Sequence, residues 1–134
     1  MPESTLAKKI KLKPGLKAAV IHAPESYLDE LGHSADILTS LKGKFDWIQL
    51  FVRNKSELDA LAPKAAMALN PESMLWISFP KGSSGIQTDL TRDQGWESVQ
   101  QLGLKWINLV SINDTWSAFG LRPYREGEKR HSFR

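Results

Sequence analysis

Cysteine is absent from this sequence, and with it go disulfides, thiol nucleophiles and thiolate metal sites. Histidine is scarce. His22, His33 and His131 stand far apart, and no two have the helix or strand spacing of a ligand pair, so no metal site is expected. No stretch approaches the ~20 consecutive apolar residues of a membrane span. The opening MPESTLAKKIKLKPGLK carries charge but no apolar run of secretory length. No membrane partner and a cytoplasmic location are therefore expected. Two phosphate and ester chemistries are also missing. No G-x-S-x-G elbow occurs, and no lysine follows a glycine-rich loop into a helix as a Walker motif requires.

What is present is one domain's worth of ordinary globular sequence: 134 residues, 41% hydrophobic and 25% charged. The net charge of +3 is unevenly spread. Residues 1–17 hold five lysines against one glutamate, and residues 122–134 hold five Lys/Arg against two glutamates. The body between them carries eight Lys/Arg against twelve Asp/Glu. Basic ends on an acidic body can attract phosphates, but a nucleic-acid module interleaves aromatics with its basic residues. The ends offer only Tyr124 and Phe133, so nucleic acid is not the expected partner. The expected organisation is a basic mobile segment over 1–13, one domain over 14–123, and a basic mobile tail over 124–134.

Short apolar runs at 17–23, 45–52 and 73–80 predict central strands buried on both faces. Residues 35–43 are ambiguous and are read as a short edge strand. A helix is predicted over 27–31, capped by Ser26 and ended by Gly32. Another is predicted over 55–71, with Ser56 and Asp59 as a capping box and a kink or break at Pro63. Its stripe is Leu58, Leu61, Ala62, Ala65, Ala66 and Leu69. Asn70-Pro71 should stop it. A last helix should start at Thr91, capped with Gln94, turn Trp96 and Val99 inward, and end at Gly103. Residues 105–112 and 116–122 predict a hairpin, turned at Asn113-Asp114 by residues that tolerate positive φ. Trp47, Trp76, Trp96 and Trp106 are expected in the core, each indole N–H with a partner. The implied fold is α/β: a three-layer, Rossmann-like, mostly parallel sheet of five or six strands with a C-terminal antiparallel hairpin.

An Asp-led strand FDWIQLFV (45–52), a Leu69-Asn70-Pro71 turn, the strand LWISF (75–79) and a closing hairpin resemble the second half of class I methyltransferases. The resemblance implies a strand order in which the closing strand slots antiparallel between the third central strand and the strand that enters the hairpin. The whole chain over 10–123 is also similar to small bacterial proteins of unknown function, through Asp46–Phe51, Leu75–Lys81, Thr88–Asp93 and Asn113–Ala118. Methyltransferases of this class end their first strand in a glycine-rich turn that admits the cofactor. This sequence has HAPES (22–26) there, with no glycine, and Pro24 lacks an amide donor. No acidic residue closes a full second strand to take ribose hydroxyls. S-adenosylmethionine is therefore not expected, and no other cofactor is.

Ligands gather at the carboxyl edge of open α/β sheets. Glu25, Arg53 and Lys81 each follow a central strand, and Asp114 reaches the same edge through the hairpin turn. Gly82, Ser83, Ser84 and Gly85 can present backbone amides and hydroxyls to an anion, with Lys81 and Arg92 flanking. Trp116 follows the hairpin turn beside Asp114 and joins the candidates. His22 is read as ending a buried strand with a hydrogen bond to backbone. The functional expectation is a binding or interaction module with a weak anion site, its partner a small anion or a protein. The alternatives are a small transferase or hydrolase using the same edge, and a nucleic-acid binder working through the tails.

Overall fold

The computed structural model describes residues 9–12, 15–24, 27, 36–91 and 94–124. The apolar runs become six strands: β1 Lys17–Ile21, β2 Asp36–Leu38, β3 Phe45–Phe51, β4 Leu69–Pro80, β5 Lys105–Ser111 and β6 Trp116–Arg122. They form one sheet in the order β2-β1-β3-β4-β6-β5. β2, β1, β3 and β4 run parallel, and β6 lies antiparallel between β4 and β5. This is the order that the resemblance implied, with the ambiguous 35–43 stretch supplying the far edge. Candidates Glu25 and Arg92, and the helix predicted over 27–31 apart from Tyr27, lie outside the described residues.

One face of the sheet is covered by α1 (Lys55–Met67) and the short α2 (Glu97–Gln100). Leu58, Ala62 and Ala65 of α1 and Val99 of α2 pack on Ile48, Leu50, Leu75 and Ile77, all fully buried. Toward β5, Trp96, Trp106 and Phe119 meet edge to face with centroids 5.0–6.0 Å apart, the geometry that ring quadrupoles favour. On the opposite face lie Trp47, Phe51, Trp76, Trp116 and Ala118, with Ile10, Leu12 and Tyr27 packed over them. Residues 9–12 belong to the segment expected to be mobile. Instead Ile10 and Leu12 are fully buried, and the Trp47 indole donates to the Ile10 carbonyl at 2.7 Å. Lys11 between them is exposed and sits in a turn at φ 62, and that turn sets both apolar neighbours toward the core.

The second face also holds a buried polar chain. The Tyr27 hydroxyl donates to Gln49 Oε1 at 2.7 Å, and Gln49 Nε2 donates to Ser78 Oγ at 2.9 Å. It ties β3, β4 and the segment after β1 together. Trp76 differs from the expectation: its buried indole N–H finds no partner among the described residues, nor does the buried Asn108 Oδ1. Both crowd Gly120, where an added Cβ would lie 2.7 Å from Trp76 Cζ3 and 2.8 Å from Asn108 Oδ1. That crowding requires glycine there.

Several predicted boundaries move for identifiable reasons. α1 begins at Lys55 as predicted but is capped two residues before Ser56, by Asn54: Asn54 Oδ1 accepts from Glu57 N, and Glu57 Oε1 accepts from Arg53 N. It runs unbroken through Pro63, which is exposed, so water can reach the carbonyl the proline leaves without a donor. It ends at Met67, ahead of Asn70-Pro71, because Lys44 Nζ donates to Met67 O and Phe45 N to Ala68 O. Asn70 and Pro71 are already in β4, held by Ser73, whose hydroxyl donates to Phe45 O at 2.6 Å and accepts from Asn70 N. Thr91 and Gln94 close a turn through Thr91 Oγ1, and the helix starts only at Glu97. The hairpin turn needs no positive φ. Asn113 Oδ1 instead accepts from Thr115 N and Trp116 N, a side-chain-closed turn.

Candidate functional site at the carboxyl edge of the sheet

Three parallel strands deliver the chain to one edge. β1 ends at Ile21, and His22 turns away with φ 61, exposed to solvent. The sequence had placed His22 in a buried strand end. The chain must instead leave β1 sharply, and one residue takes the left-handed conformation that glycine adopts without strain. β3 ends at Phe51, and Arg53 and the cap residue Asn54 lead into α1 beyond it. Arg53 is exposed. β4 ends at Pro80, and Lys81 N extends the ladder by donating to Thr115 O at 2.8 Å.

The loop after β4 is folded and pinned. Gly82–Ser84 form one 3₁₀ turn, and Gly85 leaves it with φ 83. Ser84 N donates to Lys81 O and Ile86 N to Ser84 Oγ. Two amides that could have cradled an anion are therefore used within the loop. Farther on, Leu90 is buried, and Thr88 Oγ1 accepts from Leu90 N. Asp89 Oδ1 accepts from Lys55 N at 2.8 Å. A carboxylate thus sits on the first amide of α1, where the helix dipole favours negative charge.

Between this loop and the strand ends lies an open groove of about 760 Å³, lined by Asn54, Pro80, Lys81, Gly82, Gln87, Thr88 and Asp89 together with Ile86, Leu90 and Thr91. Of the sequence candidates, Lys81 and Gly82 line it, whereas Ser83, Ser84 and Gly85 do not. Asn54, Gln87, Thr88 and Asp89 were missed. The polar triplet Gln-Thr-Asp beside a glycine turn was the available signal. The Lys81 ammonium turns to Ser111 Oγ at 2.6 Å, away from the glycine loop. Asp114 is exposed at the hairpin tip. Trp116 is a core residue, 4% exposed and edge to face with Phe51 at 5.1 Å.

A smaller groove of about 410 Å³, between Lys55, Asp89, Trp96, Glu97 and Gln100, adjoins the polar junction of the two helices. There Asp59 accepts from Lys55 Nζ at 2.8 Å and from Ser98 Oγ at 2.6 Å. The hydrogen bond from Lys55, then that from Ser98, hold the Asp59 carboxyl below its ordinary range. The same bond to Asp59 raises the Lys55 ammonium, against the cost of desolvation. This junction couples α1 to α2. Among the described residues, no cluster of three or more His, Asp or Glu converges as a metal site, and no helix is long and apolar enough to cross a membrane.

No protein-family model matches the chain, and no curated protein matches it. Solved structures do. The ribosomal protein L11 methylase from Lactobacillus delbrueckii subsp. bulgaricus is 14% identical, with 89% of this chain and 76% of that chain covered and a TM-score of 0.57. A TehB-like SAM-dependent methyltransferase from Corynebacterium glutamicum is 12% identical, over 90% and 86% of the two chains, with a TM-score of 0.58. A SAM-dependent methyltransferase from Aquifex aeolicus is 14% identical, over 87% and 86%, with a TM-score of 0.56. Parallel strands closed by an antiparallel β6, flanked by helices, give this chain the Rossmann-like α/β fold of the class I SAM-dependent methyltransferases.

Proposed function

We propose that this chain is a cytoplasmic binding module on a methyltransferase-like scaffold, one that takes its ligand in the groove between β3, β4 and residues 81–91 and does not use S-adenosylmethionine. The observation that carries the reading is the turn after β1. His22 occupies it at φ 61 and keeps a Cβ and an imidazole there. Pro24 follows with no N–H to offer. A cofactor that needs close backbone approach at this point meets side chains instead. The other cofactor support is also short. β2 has three residues, and Thr39 and Ser40 follow it without an acidic group for ribose hydroxyls. These residues do not fit the cofactor.

The groove supports the binding half of the reading. Its lining mixes an amide pair, hydroxyls, one carboxylate, Lys81 and the apolar Ile86 and Leu90, a composition suited to a small polar ligand with one apolar side. Function belongs to such a site and not to the fold alone. The test is a thermal-shift screen of small polar compounds, with hits mapped by amide chemical shifts. Saturable shifts at residues 80–91 that weaken in Gln87→Ala/Thr88→Ala support the reading. Release of S-adenosylhomocysteine during incubation with S-adenosylmethionine and methyl acceptors overturns it.

A further inference from the structure

Two lysines far apart in sequence converge on one residue at the hairpin end of the sheet. Lys9 Nζ donates to the Ser111 carbonyl at 2.9 Å, and Lys81 Nζ donates to the Ser111 hydroxyl at 2.6 Å. Neither ammonium has a carboxylate at salt-bridge distance among the described residues. Each ammonium has three donors, and one donor of each is accounted for by Ser111. The arrangement is not that of two solvated chain ends. Ile10, directly after Lys9, is fully buried, with its carbonyl fixed by the Trp47 indole. Lys81 is fixed by its backbone bond to Thr115. Both lysines therefore leave anchored backbone and point at the same spot.

From this juxtaposition we infer that Lys9, Lys81 and Ser111 form a phosphate-binding site at the carboxyl end of β5. Two ammonium groups bonded to one residue raise the positive potential there, and an anion beside Ser111 meets both. Phosphate suits the site because its oxygens accept from both ammonium groups at once, and the Ser111 hydroxyl, which donates to the Asn113 carbonyl only at a long 3.5 Å, can turn to it. The site replaces the glycine loop as the anion-binding element and draws Lys81 from it. It shares only Lys81 with the groove, since neither Lys9 nor Ser111 lines it, and it does not rest on the cofactor reading.

Inorganic phosphate titrated into the ¹⁵N-labelled full chain tests the site. Saturable amide shifts centred on Ser111–Thr115 are expected, with half-saturation at roughly 0.1–5 mM, as for a few charge-assisted contacts less the association cost. In Lys9→Gln/Lys81→Gln, which keeps hydrogen-bond donors but removes both charges, half-saturation should rise about tenfold or more. In Lys42→Gln/Lys64→Gln, which makes the same net-charge change at exposed positions elsewhere, it should not move. Shifts centred away from 111–115, or equal half-saturation in the two double variants, overturn the site. A ten-residue oligothymidylate distinguishes the source of the phosphate. Tighter binding than phosphate, with log K falling against log salt at a slope of about −1.4 for two contacts, assigns it to a nucleic-acid backbone. Binding no tighter than phosphate assigns it to a free phosphate.

Discussion

Replacing His22 by glycine should stabilise the protein. His22 is held at φ 61, where a side chain costs about 1–2 kcal/mol against the following carbonyl. Glycine removes that cost but adds back about 0.4–1 kcal/mol of chain entropy in the unfolded state. Histidine is exposed there, so little packing is lost. The net expectation is a gain of about 0.5–1 kcal/mol, or about 2–4 °C in Tm for a chain of this size. Urea and thermal denaturation of His22→Gly beside His22→Ala measure it. Alanine keeps the Cβ and should gain nothing. A His22→Gly variant no more stable than the parent, or an alanine variant that gains as much, refutes the argument that the turn is strained by its side chain.

Other outcomes follow from the core and the helix junction. Gln49→Leu removes the Gln49 bonds to the Tyr27 hydroxyl and to Ser78 Oγ in a buried setting. It should cost about 1–3 kcal/mol by urea midpoint, as for a buried polar group left short of a partner, while Tyr27→Phe should cost less. Gly120→Ala places a Cβ 2.7 Å from Trp76 Cζ3 and should cost about 1–3 kcal/mol through overpacking; a neutral result would mean that β5 and β6 yield easily. The Asp59 carboxyl is held below its ordinary 3.8, so its contribution is present above that pH and fades as pH falls through its lower folded value. Asp59→Asn should flatten the acid limb of stability below about pH 4, by a small amount because both partners are more than a third exposed.

The strands were legible because β1, β3 and β4 are buried on both faces and so read as continuous apolar runs. The hairpin was legible from its Asn-Asp turn, although the turn closes through the Asn113 side chain and not through positive φ. Helix ends were harder. Asn54…Glu57 and Ser56…Asp59 are overlapping cap signatures. Tertiary contacts choose the first: Val52 N is still tied to Ser78 O, which starts the helix early, and Asp59 is engaged by Lys55 and Ser98. The site was legible as an edge but not as a set of side chains. The destination of Lys81 is set by a residue 30 positions away. Lys9 looked like part of a solvated tail because four neighbouring lysines masked the burial of Ile10 and Leu12.

The central claim is that a methyltransferase fold is present here without a cofactor-binding turn, and direct titration calorimetry with S-adenosylmethionine tests it. The account predicts no saturable heat up to about 1 mM ligand, a limit that corresponds to about −4 kcal/mol of binding free energy. Micromolar binding, displaced by S-adenosylhomocysteine, would contradict it.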